Sequence, residues 1–155
     1  MAEYTDEDLF EAFAKLPEYY IEIGVVSGDT ERKEYVGITN AELMFIHEYG
    51  SPTNNIPDRP VLQMTIDWAN KELLEPTLDR AIDAFINSDF SEEALEKELK
   101  KMCVRMENYA RHIIYDNDGR LAPNSPAVAK RKKGNHPLFD TGQLAKSITC
   151  HLVKI

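Results

Sequence analysis

The chain has 155 residues, 43% of them hydrophobic, and a formal net charge of −9 at pH 7. That length suits one domain, which can bury about 68–70% of the surface that the unfolded chain exposes. No apolar run approaches the roughly 20 residues that cross a membrane, and the acidic N-terminus is unlike a signal peptide, so we expect a soluble protein that remains where it is made. Cys103 and Cys150 are too few for a disulfide framework and are expected to be reduced and structural.

The charge is distributed unevenly along the chain. Residues 1–100 carry 23 acids against 8 bases, whereas residues 101–155 carry 4 acids against 10 bases. An acidic chain of this kind is not typical of general nucleic-acid binding, which favours a basic domain. The asymmetry is compatible with head-to-tail association of copies and equally with two solvated faces of different sign.

The first fifty residues predict a helix, a hairpin and a second helix. Thr5 begins a helix over about residues 5–16, which we expect at the periphery, and residues 19–26 alternate as a strand. Turn residues follow, and residues 34–38 are a plausible second strand of the hairpin. Thr39 and Glu42 form a capping box for a helix that ends near Tyr49, with Gly50 as its stop.

Two stretches of this half invite a catalytic or ligand-binding interpretation. Gly24 and Gly28 lack the spacing and the lysine of a phosphate loop. His47 and Glu48 are adjacent and would leave a helix about 100° apart, and a zinc-protease helix would need a second histidine where Ser51 stands. Neither stretch therefore predicts catalysis or metal binding.

Residues 51–60 predict a stiff loop that presents an arginine. Pro52, Pro57 and Pro60 restrict its backbone, and Arg59 offers a planar group with five donors. Carboxylates and carbonyls are suitable partners for that group. The sequence leaves two alternatives open for Arg59, a contact across an interface or an internal tie.

The middle of the chain is predicted to be helical. Apolar residues recur at helical spacing over residues 61–86, with Pro76 as the expected kink or break. Ser91 begins the longest helix, and Asn117 to Gly119 ends it. Its predicted core stripe is Leu95, Leu99, Met102, Cys103, Met106, Ala110, Ile113 and Ile114.

The last 35 residues predict two short helices and a closing strand. Ser125 and Pro126 begin a helix over about residues 126–133 that ends at Gly134, with four cations in its last turn: Lys130, Arg131, Lys132 and Lys133. His136 and Pro137 lie in a loop, and Asp140 with Gln143 forms a capping box for the second helix. Asp140-Thr141-Gly142 also occurs in aspartic proteases, but a helix start suits the residues that follow. Residues from Ile148 alternate as a half-buried strand.

Three stretches together resemble the tail-completion and neck proteins of long-tailed bacteriophages. They are IEIGVVSGD at residues 21–29, AELMFIHEYGSPTNNIPDRPVL at residues 41–62 and PNSPAVAKRKKGNHPLFDTGQLAKSI at residues 123–148. The positions that fit include Pro57, Arg59, Pro60, Ser125, Pro126, Gly134, Pro137, Leu138, Asp140, Gly142 and Leu144. These stretches cover about half of the chain, and no single one would suffice.

The resemblance implies a structural virion protein at the head–tail junction, present in the host cytoplasm during assembly. Its implied partners are other phage neck and tail proteins, and further copies of itself in a ring; it implies no enzyme activity, cofactor, metal or membrane. We expect the interface to involve Arg59, Lys130, Arg131, Lys132, Lys133 and His136. The alternative is a small nucleic-acid-binding protein that uses the basic cluster, although this cluster lacks interleaved aromatic residues.

The predicted fold is a single α+β domain over residues 1–155. Its small, mostly antiparallel sheet combines the N-terminal hairpin with the C-terminal strand, and the helices of the middle region cover it. Strand order cannot be derived from the pattern.

Overall fold

The computed structural model describes residues 3–26, 37–132, 135–138 and 142–155. These residues form an α+β fold, as predicted. The helices are α1 (Asp6–Ala14), α2 (Asn40–Tyr49), α3 (Val61–Glu72), α4 (Leu74–Asn87), α5 (Glu92–Asp116), α6 (Pro126–Arg131) and α7 (Gln143–Ser147), with a short 3-10 helix at Pro52–Asn54. The strands are β1 (Tyr19–Val25) and β2 (Ile148–Lys154).

The two strands pair in antiparallel fashion, which brings the two ends of the chain together. Tyr19 lies opposite Lys154 and Val25 opposite Ile148. Ile148 and Cys150 are buried on the face of β2 that was predicted to face inward. The predicted hairpin partner at residues 34–38 lies mostly outside the described residues.

Helix α5 contributes to every part of the core. Its eight predicted stripe residues are the eight that are buried. Ala110, Ile113 and Ile114 pack with Met44, Val61, Leu144 and Ile148, while Met102, Cys103 and Met106 pack with Ala69, Leu73 and Cys150. Leu95 and Leu99 pack with Ala81 and Phe85 at the other end. The sheet and helices α3 and α4 therefore meet along one helix.

The cysteines lie at this meeting of α5 and β2. Cys103 and Cys150 are both buried free thiols, as expected. The hydrogen bond with Cys103, followed by burial, raises the pKa of Cys150 well above its usual value. A thiol in this state is protonated at neutral pH and packs as a small apolar side chain.

The helix caps follow the predictions closely. Thr5 and Thr39 each form a reciprocal capping box, and the Ser91 and Ser125 side chains accept from the backbone of α5 and α6. Helix α1 buries none of its residues, in agreement with a peripheral position. Gly50 ends α2 at φ 70°, where an added Cβ would lie 2.9 Å from the Asp58 nitrogen.

Three boundaries differ from the predictions. The break between α3 and α4 falls at Leu73 rather than at Pro76, which instead occupies the first turn of α4, where a missing N–H costs nothing. Helix α6 ends at Arg131. Helix α7 begins at Gln143, with Gly142 as its N-cap at φ 77°; Lys133, Gly134 and Asp140 lie outside the described residues. Within the described ranges, no helix is both long and apolar enough to cross a bilayer.

We predict that stability depends on the buried stripe of α5 rather than on its exposed apolar residues. Ile113→Ala removes a side chain that is 1% exposed and should lower the free energy of unfolding by about 2–5 kcal/mol. Val104, on the same helix, is 60% exposed, and Val104→Ala should change the free energy of unfolding by at most about 0.5 kcal/mol. Urea unfolding of both variants measures the difference, and equal losses would contradict the assignment of the core.

Candidate partner-binding site

A cavity of about 360 Å³ opens between α2, the loop at residues 51–60 and the start of α6. Leu138 and Leu144 close it from the C-terminal side. We call it the basic pocket, because its lining includes Arg59, Arg131 and Lys132 and, among the residues that the structure describes, no aspartate or glutamate. It joins two of the three sequence stretches that carry the family resemblance, residues 41–62 and 123–148.

Arg59 is part of the pocket wall, and its side chain is only 4% exposed. Its Nε donates to the Ala122 carbonyl at 2.7 Å and its Nη2 to the Pro123 carbonyl at 2.8 Å. Its Nη1 lies 3.2 Å from Nδ1 of His47. The expectation that Arg59 contacts another subunit is therefore corrected, because the guanidinium is buried and used within the chain, which is the internal alternative.

Burying the charged guanidinium of Arg59 has an electrostatic cost. Burial lowers the pKa of Arg59, as it does for any cation removed from water, but a guanidinium stays charged at neutral pH. The acceptors of its Nε and Nη2 are carbonyl oxygens rather than a carboxylate, so the charge is stabilised by these well-placed hydrogen bonds and not by an ion pair. Arg59 thus fixes residues 122–123, and with them the entry to α6, against α2.

The adjacent pair His47 and Glu48 performs two separate structural roles. His47 contacts Arg59, whereas the Glu48 carboxylate accepts from the backbone nitrogens of Leu62 at 3.0 Å and Gln63 at 2.7 Å. Glu48 therefore caps the first turn of α3, where a negative charge is favourable. Sequence reasoning missed this cap because its carboxylate comes from a different helix.

Only some cations of the basic cluster at the end of α6 line the pocket. Arg131 and Lys132 line the pocket, while Lys130 is exposed and lies outside the lining. Asn124 also lines the pocket, and its Nδ2 is buried without a hydrogen-bond partner in the part of the chain that the structure describes. The pocket therefore presents Arg131 and the Asn124 amide donor to an incoming oxygen acceptor.

His136 has an internal role as well. Its Nε2 contacts the carbonyl of Ile114 in the last turn of α5, so this nitrogen carries the proton and donates. The half-buried ring thereby satisfies one of the carbonyls that a helix end leaves without a partner. The expectation that His136 contacts a partner protein stays a prediction, because the ring is only half-buried.

The remaining residues of the family-like motifs lie in or near the pocket. Leu138 is buried at φ 60°, and Leu144 is 2% exposed. Arg111 on α5 holds the segment that follows, donating to the Ala145 carbonyl at 3.2 Å and the Ile148 carbonyl at 2.9 Å. Pro57 is exposed at the rim, Pro60 precedes α3, and Ser125 and Pro126 begin α6.

The chemistry of the pocket is that of binding an anion or a carbonyl. Apolar side chains from Ile38, Leu43, Ile56, Val128, Leu138 and Leu144 surround the polar groups. Across the described ranges, no three histidine, cysteine, aspartate or glutamate side chains are grouped to hold a metal. An acidic side chain flanked by apolar residues matches this lining.

Comparisons of the chain with protein-family models, with curated proteins and with solved structures found no match. The tail-completion and neck family thus remains a resemblance carried by the motifs of the sequence.

We predict that Arg59 is required for stability and for the shape of the pocket. Arg59→Ala leaves the carbonyls of Ala122 and Pro123 without their donor, which should cost about 1–3 kcal/mol for each carbonyl that stays buried. Arg59→Lys keeps the charge but not the fork of donors, so it should be destabilising too. Arg105→Ala, at an exposed position on α5, is the matched control and should be nearly neutral. Thermal unfolding compares the three, and a neutral Arg59→Ala would contradict the internal tie.

Proposed function

We propose that the protein is a structural assembly protein at the head–tail junction of a long-tailed phage or prophage. It acts by binding rather than by catalysis, and the basic pocket is its contact for an acidic segment of a neighbouring neck or tail protein, or of another copy. The observation that supports this proposal is the coincidence of family-like motifs with one pocket whose described lining contains cations and no carboxylate.

The charge distribution of the chain supports an acidic neighbour. Residues 1–100 have a net charge of −15, whereas residues 101–155, which contain α6, have +6. Copies arranged head to tail would bring opposite charges together. Such attraction steers and orients partners, and salt screens it. At 0.1 M salt, exposed charges more than about 10 Å apart attract each other only weakly. Assembly through this surface should therefore be sensitive to ionic strength.

Nucleic-acid binding is the second candidate function, and the exposed Lys130 and Arg131 are the observation in its favour. A protein that neutralises several phosphates loses affinity steeply with salt. The rest of the chain is rich in acidic residues, however, and these would repel the phosphate backbone of a nucleic acid. Retention on immobilised DNA at low salt, tested across several salt concentrations, separates this function from the first.

We predict that Lys130→Ser/Arg131→Ser impairs head–tail joining without unfolding the protein. Exposed charges are worth at most about 1 kcal/mol each in stability, so the melting temperature should hardly change. In the phage or prophage that encodes the chain, the double variant should accumulate separate heads and tails, with joining restored partly at low salt. Electron microscopy of lysates and infectious titre measure the outcome.

The matched control is Lys97→Ser/Arg105→Ser, which removes two exposed cations from α5, outside the pocket lining. It should assemble normally. Equal infectivity for both double variants would remove Lys130 and Arg131, the pocket cation that the variant changes, from the proposed contact. Normal particles from a phage that lacks the protein altogether would reject the head–tail function itself.

A further inference from the structure

A second cavity, of about 570 Å³, lies along the exposed side of α4 and shares no lining residue with the basic pocket. Six large apolar side chains that are each 37–43% exposed line it: Phe13, Tyr20, Ile66, Leu74, Leu78 and Ile82. Buried residues such as Ala81, Leu99 and Met102 form its base. We call it the α4 groove.

The groove results from a second apolar face on α4. Thr77, Ala81 and Phe85 form the buried face of this helix. Leu74, Leu78 and Ile82 recur every four residues beside that face and remain at the surface. Side chains at this spacing form a continuous line along a helix. A contiguous exposed apolar patch of this kind is typical of an interaction site.

A line of acids runs beside the apolar line. Glu75, Asp79 and Asp83 each follow one residue after a member of it, so they project about 100° further around α4. All three are exposed, and none forms an ion pair among the residues that the structure describes. Like charges four residues apart repel each other on a helix. A cationic partner would relieve that repulsion.

We infer that the α4 groove binds an amphipathic basic helix of another protein. Such a helix would place apolar residues at four-residue spacing into the groove and lysine or arginine over Glu75, Asp79 and Asp83. The exposed apolar line from Leu74 to Ile82 is about 12 Å long at 1.5 Å per residue, so about three turns of the partner cover it. This is the helix-in-groove mode of recognition.

The charges argue against a second copy of this chain as the occupant. A two-fold contact through the groove would bring the acidic lines of the two copies together, and like charges disfavour it. The basic helix α6 of another copy has only six residues, PAVAKR, and Val128 is its only large apolar side chain. It cannot supply apolar residues at the spacing of the groove. The inference does not rest on the proposed function.

Binding of a designed peptide to the purified full chain tests the inference. The probe is a helix-forming peptide of about 15 residues, with leucine at every fourth position, lysine on the flanks of that line and alanine elsewhere. Fluorescence anisotropy should show saturable binding that weakens with salt. Two matched peptides, one with glutamate in place of lysine and one with serine in place of leucine, should bind much more weakly.

Variants of the chain locate the binding surface. Asp79→Asn/Asp83→Asn should weaken binding of the basic peptide roughly 3- to 10-fold, and Leu78→Ser about tenfold or more. The control Asp58→Asn/Glu93→Gln removes the same charge at another surface. The control Val104→Ser replaces an exposed apolar side chain outside the groove. Both controls should bind like the wild type. Circular dichroism checks that every variant is folded.

Several results would overturn the inference. They are the absence of binding by the basic peptide, equal binding by the acidic peptide, and equal affinity of the Asp79→Asn/Asp83→Asn variant and its control. Sedimentation that shows a dimer of the wild type, abolished by Leu78→Ser, would identify a second copy as the occupant instead. Each of these outcomes is independent of whether the protein joins heads to tails.

Discussion

The structure depends on one buried stripe along α5. Its apolar residues recur at helical spacing from Leu95 to Ile114 and pack in turn against α4, α3, the sheet and α7. The two strands that the structure describes would be marginal on their own, so β1 and β2 depend on this helix, which covers one face of them. The stripe also fixes the C-terminal segment, since Ile113 and Ile114 pack with Leu144 and Ile148. Both proposed surfaces are therefore held by the same core.

The basic pocket adds a polar tie to that core. Arg59 and Glu48 connect the loop after α2 with the start of α6 and the start of α3, through a buried guanidinium and a half-buried carboxylate. Such buried polar contacts contribute modestly to stability but are costly to break, so they favour one arrangement of the segments. The consequence for function is that Arg131 and Lys132 are presented on a fixed wall. The acidic line of α4 lies on different elements, so the chain has two surfaces of opposite charge.

Local signals in the sequence predicted the helix starts and the core stripe of α5, because caps and periodicity depend on residues a few positions apart. Contacts between distant residues were not predictable in this way. Arg59 meets carbonyls 63 and 64 residues away, and either alternative was equally compatible with its position in the loop. The exposure of Leu78 and Ile82 was also missed, because α4 has apolar residues on two faces and the pattern does not show which one is covered. Likewise, Pro76 was recognised from the sequence as a kink or break in the helix. Placing it in the first turn of α4 required knowing that α3 ends before Leu73.

Locating the protein in the assembled particle tests the central proposal most directly. The proposal implies that a phage encodes the chain. A short epitope tag after Ile155, which is 73% exposed just after β2, can then be labelled with gold-conjugated antibody in purified particles of that phage. The account predicts label at the junction between head and tail. Particles that lack the protein, or label found only on the shell or at the tail tip, would contradict it.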